Sequence, residues 1–248
     1  MIELRNVTKK FGAQVVLDKV NLKFEEGRIT AIIGRSGIGK SVLLKHLIGI
    51  LKPDSGEVLV DERDITRMSE VELNEIRKKF GMLFQGAALF DSMTVFENVA
   101  FPLKEKTRMR ESEIKAQVEE KLEALDLCGM GGKYPSEISG GMKKRVGLAR
   151  ALIQNPEIIL FDEPTTGMDP IMESAIHNMI VDAQKRFGFT AVVVSHEIPE
   201  IFDVAHRVAM LHNGVIVEDL PAEEFKVSEN PIARQFISGR LDGPITVH

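Results

Sequence analysis

Cysteine is almost missing from this chain. The single residue, Cys128 in 248, excludes an intrachain disulfide and any cysteine-rich zinc site, and it fits a reducing compartment. The six histidines are scattered without metal-ligand spacing, so no protein-built metal site is expected. Long hydrophobic runs are missing too. Charges interrupt every apolar stretch well short of the roughly 20 residues that span a bilayer, so service to a membrane would be given from its cytoplasmic side, through a partner. The start, Met1-Ile2-Glu3-Leu4-Arg5, has no basic segment leading into an apolar one, so no export leader is expected. Positive charge is not in excess: 32 Lys and Arg face 37 Asp and Glu, for a net charge of −5. That balance gives no general attraction to nucleic acid, and the clusters Arg77-Lys78-Lys79 and Lys143-Lys144-Arg145 read as solvated helix faces. Repeats, low-complexity tracts and long linkers are also absent, and the length suits one domain carrying an insertion.

Apolar and polar residues alternate through 2–24, with Val16, Val20, Leu22 and Phe24 on one face and turn signals at Gly12 and Glu26-Gly27, which predicts antiparallel strands. Pro53-Asp54-Ser55-Gly56 turns the chain into a short strand, Glu57–Val60. From about 86 to 155 the pattern becomes helical, and Ile114, Val118, Leu122 and Leu125 form one apolar stripe on a charged segment. Three continuous apolar runs, at 158–161, 190–194 and 208–211, suit parallel strands covered on both faces. Ile176, Met179, Ile180, Ala183 and Phe187 mark an amphipathic helix between the first two. The alternation predicts a doubly wound α/β sheet interrupted by a helical insertion. Residues 239–248 lack periodicity and read as a frayed end.

Gly34-Arg35-Ser36-Gly37-Ile38-Gly39-Lys40-Ser41 follows the apolar run Ile29–Ile33 and precedes the helical pattern 42–48. This is G-x-x-x-x-G-K-[ST] between a strand and a helix, the context the motif requires. Its glycines let backbone N–H groups turn inward around a phosphate, and the positive end of the following helix faces the same anion. Lys40 then reaches the β- and γ-phosphates, and the Ser41 hydroxyl takes a Mg²⁺ position. At the end of the run 158–161 stand Asp162 and Glu163. Asp162 is suited to holding Mg²⁺ through water, and Glu163 to orienting and deprotonating an attacking water. Ser139-Gly140-Gly141 opens another helix and forms a second anion-binding N-terminus; an ordinary serine cap with a flexible glycine pair is the plain alternative.

Together these segments resemble the ATP-binding cassette (ABC) ATPases, whose Leu-Ser-Gly-Gly-Gln signature is met here by Ile138-Ser139-Gly140-Gly141-Met142. The resemblance implies an α/β phosphate-loop NTPase fold with an antiparallel β subdomain and an inserted α-helical subdomain at about 86–155, within a cassette spanning 2–239 and followed by a tail, 240–248. It implies ATP and Mg²⁺ as cofactors. Gln85 falls where the family's glutamine links Mg²⁺ and attacking water to the membrane partner. Asp169, in Thr166-Gly167-Met168-Asp169, fits the loop that communicates between paired subunits. His196 fits the histidine that contacts the γ-phosphate, and Phe11 the aromatic that stacks on adenine, although a core aromatic is the plain reading of Phe11. Met142 departs from the family's glutamine, and Glu62 stands where a turn glycine is usual.

The stretch 84–103, with the Ser-Gly-Gly-Met variant and the ending 235–244, is similar to the ATPases of Mce-type phospholipid transporters. That narrower resemblance implies an ATPase at the cytoplasmic face of the bacterial inner membrane. It would work as a head-to-tail homodimer, sandwiching two ATP molecules between Gly34–Ser41 of one copy and Ser139–Gly141 of the other. Two permease subunits, a periplasmic Mce-domain ring and a STAS-domain regulator are the implied partners, and nucleic acid is not one. A soluble cassette of the iron–sulfur assembly type, or the ATPase of another transporter, is the alternative. Leu89 and Phe90 read either as a docking surface for a permease helix or as core of the helical insertion.

Overall fold

The computed structural model describes residues 1–246; Val247 and His248, the end of the tail, lie outside the described residues. The strands are β1 (Ile2–Phe11), β2 (Gln14–Phe24), β3 (Ile29–Ile33), β4 (Ser55–Val60), β5 (Arg63–Asp64), β6 (Phe80–Leu83), β7 (Ile158–Asp162), β8 (Thr190–Ser195), β9 (Arg207–His212) and β10 (Val215–Pro221). The helices are α1 (Lys40–Leu47), α2 (Glu70–Arg77), α3 (Val95–Lys106), α4 (Glu111–Ala124), α5 (Gly140–Leu152), α6 (Pro170–Phe187), α7 (Ile201–Val204), α8 (Ala222–Lys226) and α9 (Pro231–Ser238). They fall into two compact units, one made of Met1–Arg77 with the chain from Thr190 onward, the other of Lys78–Phe189.

In the first unit β1 pairs antiparallel with β2, from Ile2↔Phe24 to Phe11↔Gln14, and with β4 on its other side. The alternation does what it predicts: Ile2, Leu4 and Val7 of β1 and Val20, Leu22 and Phe24 of β2 are buried. The β4–β5 hairpin turns at Asp61-Glu62, both left-handed (φ 49° and 65°). Such a mirror-image turn favours glycine, which is the geometric sense of Glu62's unusual position. In the second sheet β3 runs parallel between β8 and β9. Every residue of β3 and β8 is buried. β10 returns from β9 through Asn213-Gly214, with φ 47° and 82°, a two-residue hairpin turn of the expected chemistry.

The tail is not frayed over its described part. Gly239 ends α9 in the left-handed conformation, after which the chain folds back on the buried Gln235. The Gln235 Oε1 accepts from Ile245 N–H at 2.7 Å, and its Nε2 donates to the Ile245 carbonyl at 3.0 Å. Ile245 is buried, and Arg35 donates to the Thr246 carbonyl at 2.9 Å. A glutamine amide saturating backbone groups leaves no periodic signal, which is why this segment reads as disordered by pattern alone.

In the second unit β6 and β7 are parallel, from Phe80↔Ile158 to Leu83↔Phe161. β6 is only four residues long and contains Gly81, where a Cβ would lie 2.7 Å from the Ala151 carbonyl oxygen. That close approach explains the glycine and also hides the strand from a pattern search. Helices α3, α4 and α5 pack on one another, and α5 packs on β6. The predicted stripe of α4 is buried at Ile114, Val118 and Leu122. Lys121 joins it, with its ammonium 4.8 Å from the centre of the Phe187 ring. The helical run begins later than the sequence pattern suggests, because Thr94 caps α3 in a capping box with Glu97. Residues 84–94 are therefore mostly loop. Among the described residues no helix is long and apolar enough to cross a membrane.

Candidate nucleotide-binding site

In the first unit the loop 34–39 leaves β3 at its carboxyl end, the edge where open α/β sheets bind ligands. Gly34, Gly37 and Gly39 have φ of 148°, 79° and 110°. A Cβ at Gly34 would lie 2.4 Å from the Leu211 carbonyl oxygen, and one at Gly39 2.6 Å from Val16 Cγ1, so both positions admit only glycine. The N-terminus of α1 has no side-chain cap and no acidic residue in its first turn. The positive end of its dipole is therefore not offset by a nearby carboxylate, which is the fit a triphosphate requires. Lys40 is the first residue of α1 and is buried; its ammonium donates to the carbonyls of Gly34 and Arg35, both at 2.9 Å. Ser41, half-buried, follows it on the same turn.

Phe11 lies at the end of β1 and is 48% exposed, so it is not a core aromatic. Its ring has Lys9 Nζ 5.6 Å from its centre. Lys9 is held in turn by Asp54 at 3.1 Å, and Asp54 also accepts from the Lys10 N–H at 2.6 Å. The Lys10 N–H and then Lys9 hold the Asp54 carboxyl below its ordinary range. Asp54 organises the backing of Phe11, a role its place in a turn does not announce. His196, half-buried, directly follows β8 in this unit, and the Ser195 hydroxyl beside it accepts the Glu197 N–H at 3.0 Å.

The second unit carries the acidic pair and the signature. Asp162 ends β7, and Glu163 follows with a left-handed backbone, φ 48°. The Thr166 hydroxyl donates to Glu163 Oε2 at 3.2 Å. Ser139 is the N-cap of α5, its Oγ accepting from the Met142 N–H at 3.2 Å. Gly140 has open space around it, whereas a Cβ on Gly141 would strike Met172 Cε at 2.2 Å. α5 has no acidic residue in its first turn, so its N-terminus suits an anion as well. Asp169 caps α6, accepting from the N–H groups of Ile171 and Met172 at 3.0 and 3.1 Å. Gln85 is exposed in the loop after β6.

That loop is held by side chains on α5 and α3. Lys144, expected on a solvated face, is 5% exposed, and its ammonium donates to the Gln85 carbonyl. Arg145 is likewise engaged, with Asp126 at 2.6 Å and the Leu125 carbonyl at 3.0 Å. Asn98 is fully buried and binds the backbone of Phe90, Met93 and Thr94. Beside the loop lies an apolar groove of about 350 Å³ lined by Phe84, Ala88, Phe90, Phe101, Pro102 and Arg150, among others. Leu89 is half-buried, while Phe84 and Phe90 are 42% and 41% exposed.

The profile of the ABC transporter family matches residues 17–166. An intermembrane phospholipid transport system ATP-binding protein, MlaF of Haemophilus influenzae, is 43% identical over 245 residues, covering 99% of this chain and 93% of that protein. The "Probable ribonucleotide transport ATP-binding protein mkl" of Mycobacterium leprae is 44% identical over 98% of this chain and 70% of its own length. Among solved structures, the dimeric post-hydrolysis state of the ATP-binding cassette MJ0796, bound to ADP and Pi, is 35% identical with a TM-score of 0.79, covering 90% of this chain and 99% of that one. With the phosphate loop, the acidic pair and the signature serine and glycines all present, the chain belongs to the ABC transporter family, as one of its ATP-hydrolysing cassettes.

Proposed function

We propose that the chain is the ATPase subunit of an inner-membrane phospholipid transporter of the Mce type, working at the cytoplasmic face. The observation that carries this reading is the near end-to-end match to a phospholipid transport ATP-binding protein, 99% of this chain against 93% of the relative. The match to the relative named for ribonucleotide transport covers only 70% of that protein. The cassette is taken as 2–239, with a helical subdomain at about 86–155 and a tail from 240.

Its residues divide the chemistry as follows. Gly34–Ser41 cradle the triphosphate, Lys40 meeting its β- and γ-oxygens, and Phe11 stacks on adenine. Ser41, Asp162 and Gln85 offer the hard oxygen donors that Mg²⁺ takes, and the ion when bound neutralises charge on the phosphates. Glu163 orients the attacking water and receives its proton. His196 and Gln85 complete the set around the γ-phosphate. Ser139, Gly140 and Gly141 of a second copy close over the same phosphate, with Asp169 at the junction between copies. ATP favours the closed pair only through the contacts it adds there. Leu89 and Phe90, the latter lining the apolar groove, take a permease helix, and exposed clusters of this kind mark partner sites. A periplasmic Mce-domain protein and a STAS-domain regulator complete the assembly.

Purification of the native complex, followed by reconstitution in vesicles, tests the reading. ATP-dependent transfer of phospholipid, with a permease and an Mce-domain protein co-purifying, is the expected result. Transport of ribonucleotides, or isolation of the chain without any integral-membrane partner, overturns it.

A further inference from the structure

Helix α5 carries a cation that neither the phosphate chemistry nor the signature uses. The Arg150 guanidinium forks onto two successive carbonyls, Nη1 donating to Ala88 at 2.7 Å and Nη2 to Ala87 at 2.6 Å. Both alanines are left-handed, with φ of 59° and 47°, a conformation residues with a Cβ rarely adopt. Two consecutive residues in that region turn both carbonyls to one side, where a planar five-donor group matches them and a lysine point charge would not. The loop lies flush on the helix: a Cβ at Gly147 would sit 2.7 Å from Leu83 Cδ1 and 3.2 Å from Ala87 Cβ. Lys144, one and two-thirds turns earlier on α5, fastens the Gln85 carbonyl at the other end of the same loop. Burial lowers the Arg150 pKa from its ordinary value, as expected of a guanidinium partly taken from water. The same Arg150 lines the groove, next to Ala88 and Phe90.

We propose that Arg150 is a positioning residue for ATP hydrolysis: its fork imposes the Ala87-Ala88 turn, which sets where Gln85 stands. This rests on Gln85 having the role given above. The loop that carries Gln85 is thereby tied to the helix that begins with Ser139–Gly141.

The test is a double-mutant cycle in the intact complex with its permease, reading kcat and KM for ATP in Arg150→Ala, Arg150→Lys, Gln85→Ala and the doubles. Arg150→Ala is expected to lower kcat about tenfold with KM within about twofold, with Arg150→Lys between it and wild type. Adding Arg150→Ala to Gln85→Ala should lower kcat no further, since residues acting through one group are non-additive. If Arg150→Ala does not fold, Arg150→Lys in the same cycle carries the same criterion. A slow Gln85→Ala whose defect multiplies with that of Arg150 overturns the positioning role alone, as does a loss expressed in KM rather than kcat. A Gln85→Ala enzyme with wild-type turnover overturns both this inference and the reading of Gln85 beneath it.

Discussion

The Asn98 amide grips both backbone atoms of Phe90, Oδ1 accepting its N–H at 2.8 Å and Nδ2 donating to its carbonyl at 3.1 Å. Nδ2 also reaches the carbonyls of Met93 and Thr94, at 3.1 and 3.0 Å. The Phe90 ring is thus presented against Phe101, with centroids 4.9 Å apart. Asn98→Ala would strand buried backbone groups, and a loss of about 1–3 kcal/mol in stability is expected. Thermal or urea unfolding checks the loss. Asn98→Asp, which sets a buried carboxyl against the carbonyls of Phe90, Met93 and Thr94, should cost at least as much as Asn98→Ala.

Truncating the surface that Asn98 presents should act differently. Leu89→Ala with Phe90→Ala removes apolar area that is partly exposed, so the isolated chain is expected to keep its ATP affinity and its melting temperature within a few degrees. Permease binding should weaken by about 2 kcal/mol or more, as for loss of an anchor. Co-purification with the permease measures this. An unfolded double mutant would place both residues in the core, and normal assembly would move the docking surface elsewhere.

Mixed pairs examine the shared site. A copy bearing Lys40→Ala paired with one bearing Ser139→Arg retains a single junction in which both the phosphate loop and the signature are intact. That pair should regain ATPase activity that neither homodimer shows. Mutants that fold and pair but give no recovery would contradict the head-to-tail arrangement.

His46 on α1 supplies a pH dependence. It is 1% exposed, its Nδ1 lies 2.7 Å from the Val42 carbonyl, and its Nε2 has no hydrogen-bond partner among the described residues. Burial depresses its pKa below the ordinary 6.5, with the Val42 carbonyl opposing the shift and the Lys9 charge adding to it. The unfolded chain then binds a proton in a range where the folded chain refuses it, so stability falls as the pH drops below 6.5. Carboxylates such as Glu97, depressed mainly by the Thr94 N–H, lose their contribution only below their ordinary 4.5. Urea midpoints taken between about pH 7 and 5.5 should therefore decline in the wild type and decline less in His46→Gln, with the remainder left to His212, which burial and Arg35 also depress.

Local chemistry was legible where it repeats or where only one residue type can serve. The phosphate loop shows itself because Gly34 and Gly39 stand where a Cβ would strike Leu211 and Val16. The stripe of α4 and the buried runs of β3 and β8 follow from periodicity and burial. Lys144 reads by its charge as part of a solvated face, and Arg150 and Asn98 give no signal at all, because each binds backbone carbonyls, and a carbonyl carries no residue identity. Gln235 ordered a tail that composition marks as loose for the same reason. Phe11 was ambiguous by type, and only its 48% exposure separates a stacking surface from core.

The most direct test of ATP hydrolysis by this cassette is the side-by-side measurement of ATP affinity and turnover in Glu163→Gln. The amide keeps the shape at the end of β7 and the Thr166 hydrogen bond within reach while removing the base. Affinity should stay within about twofold of wild type while turnover falls by about 10²–10⁴, the usual cost of losing a general base. Turnover close to wild type in a variant that binds ATP normally would contradict the account.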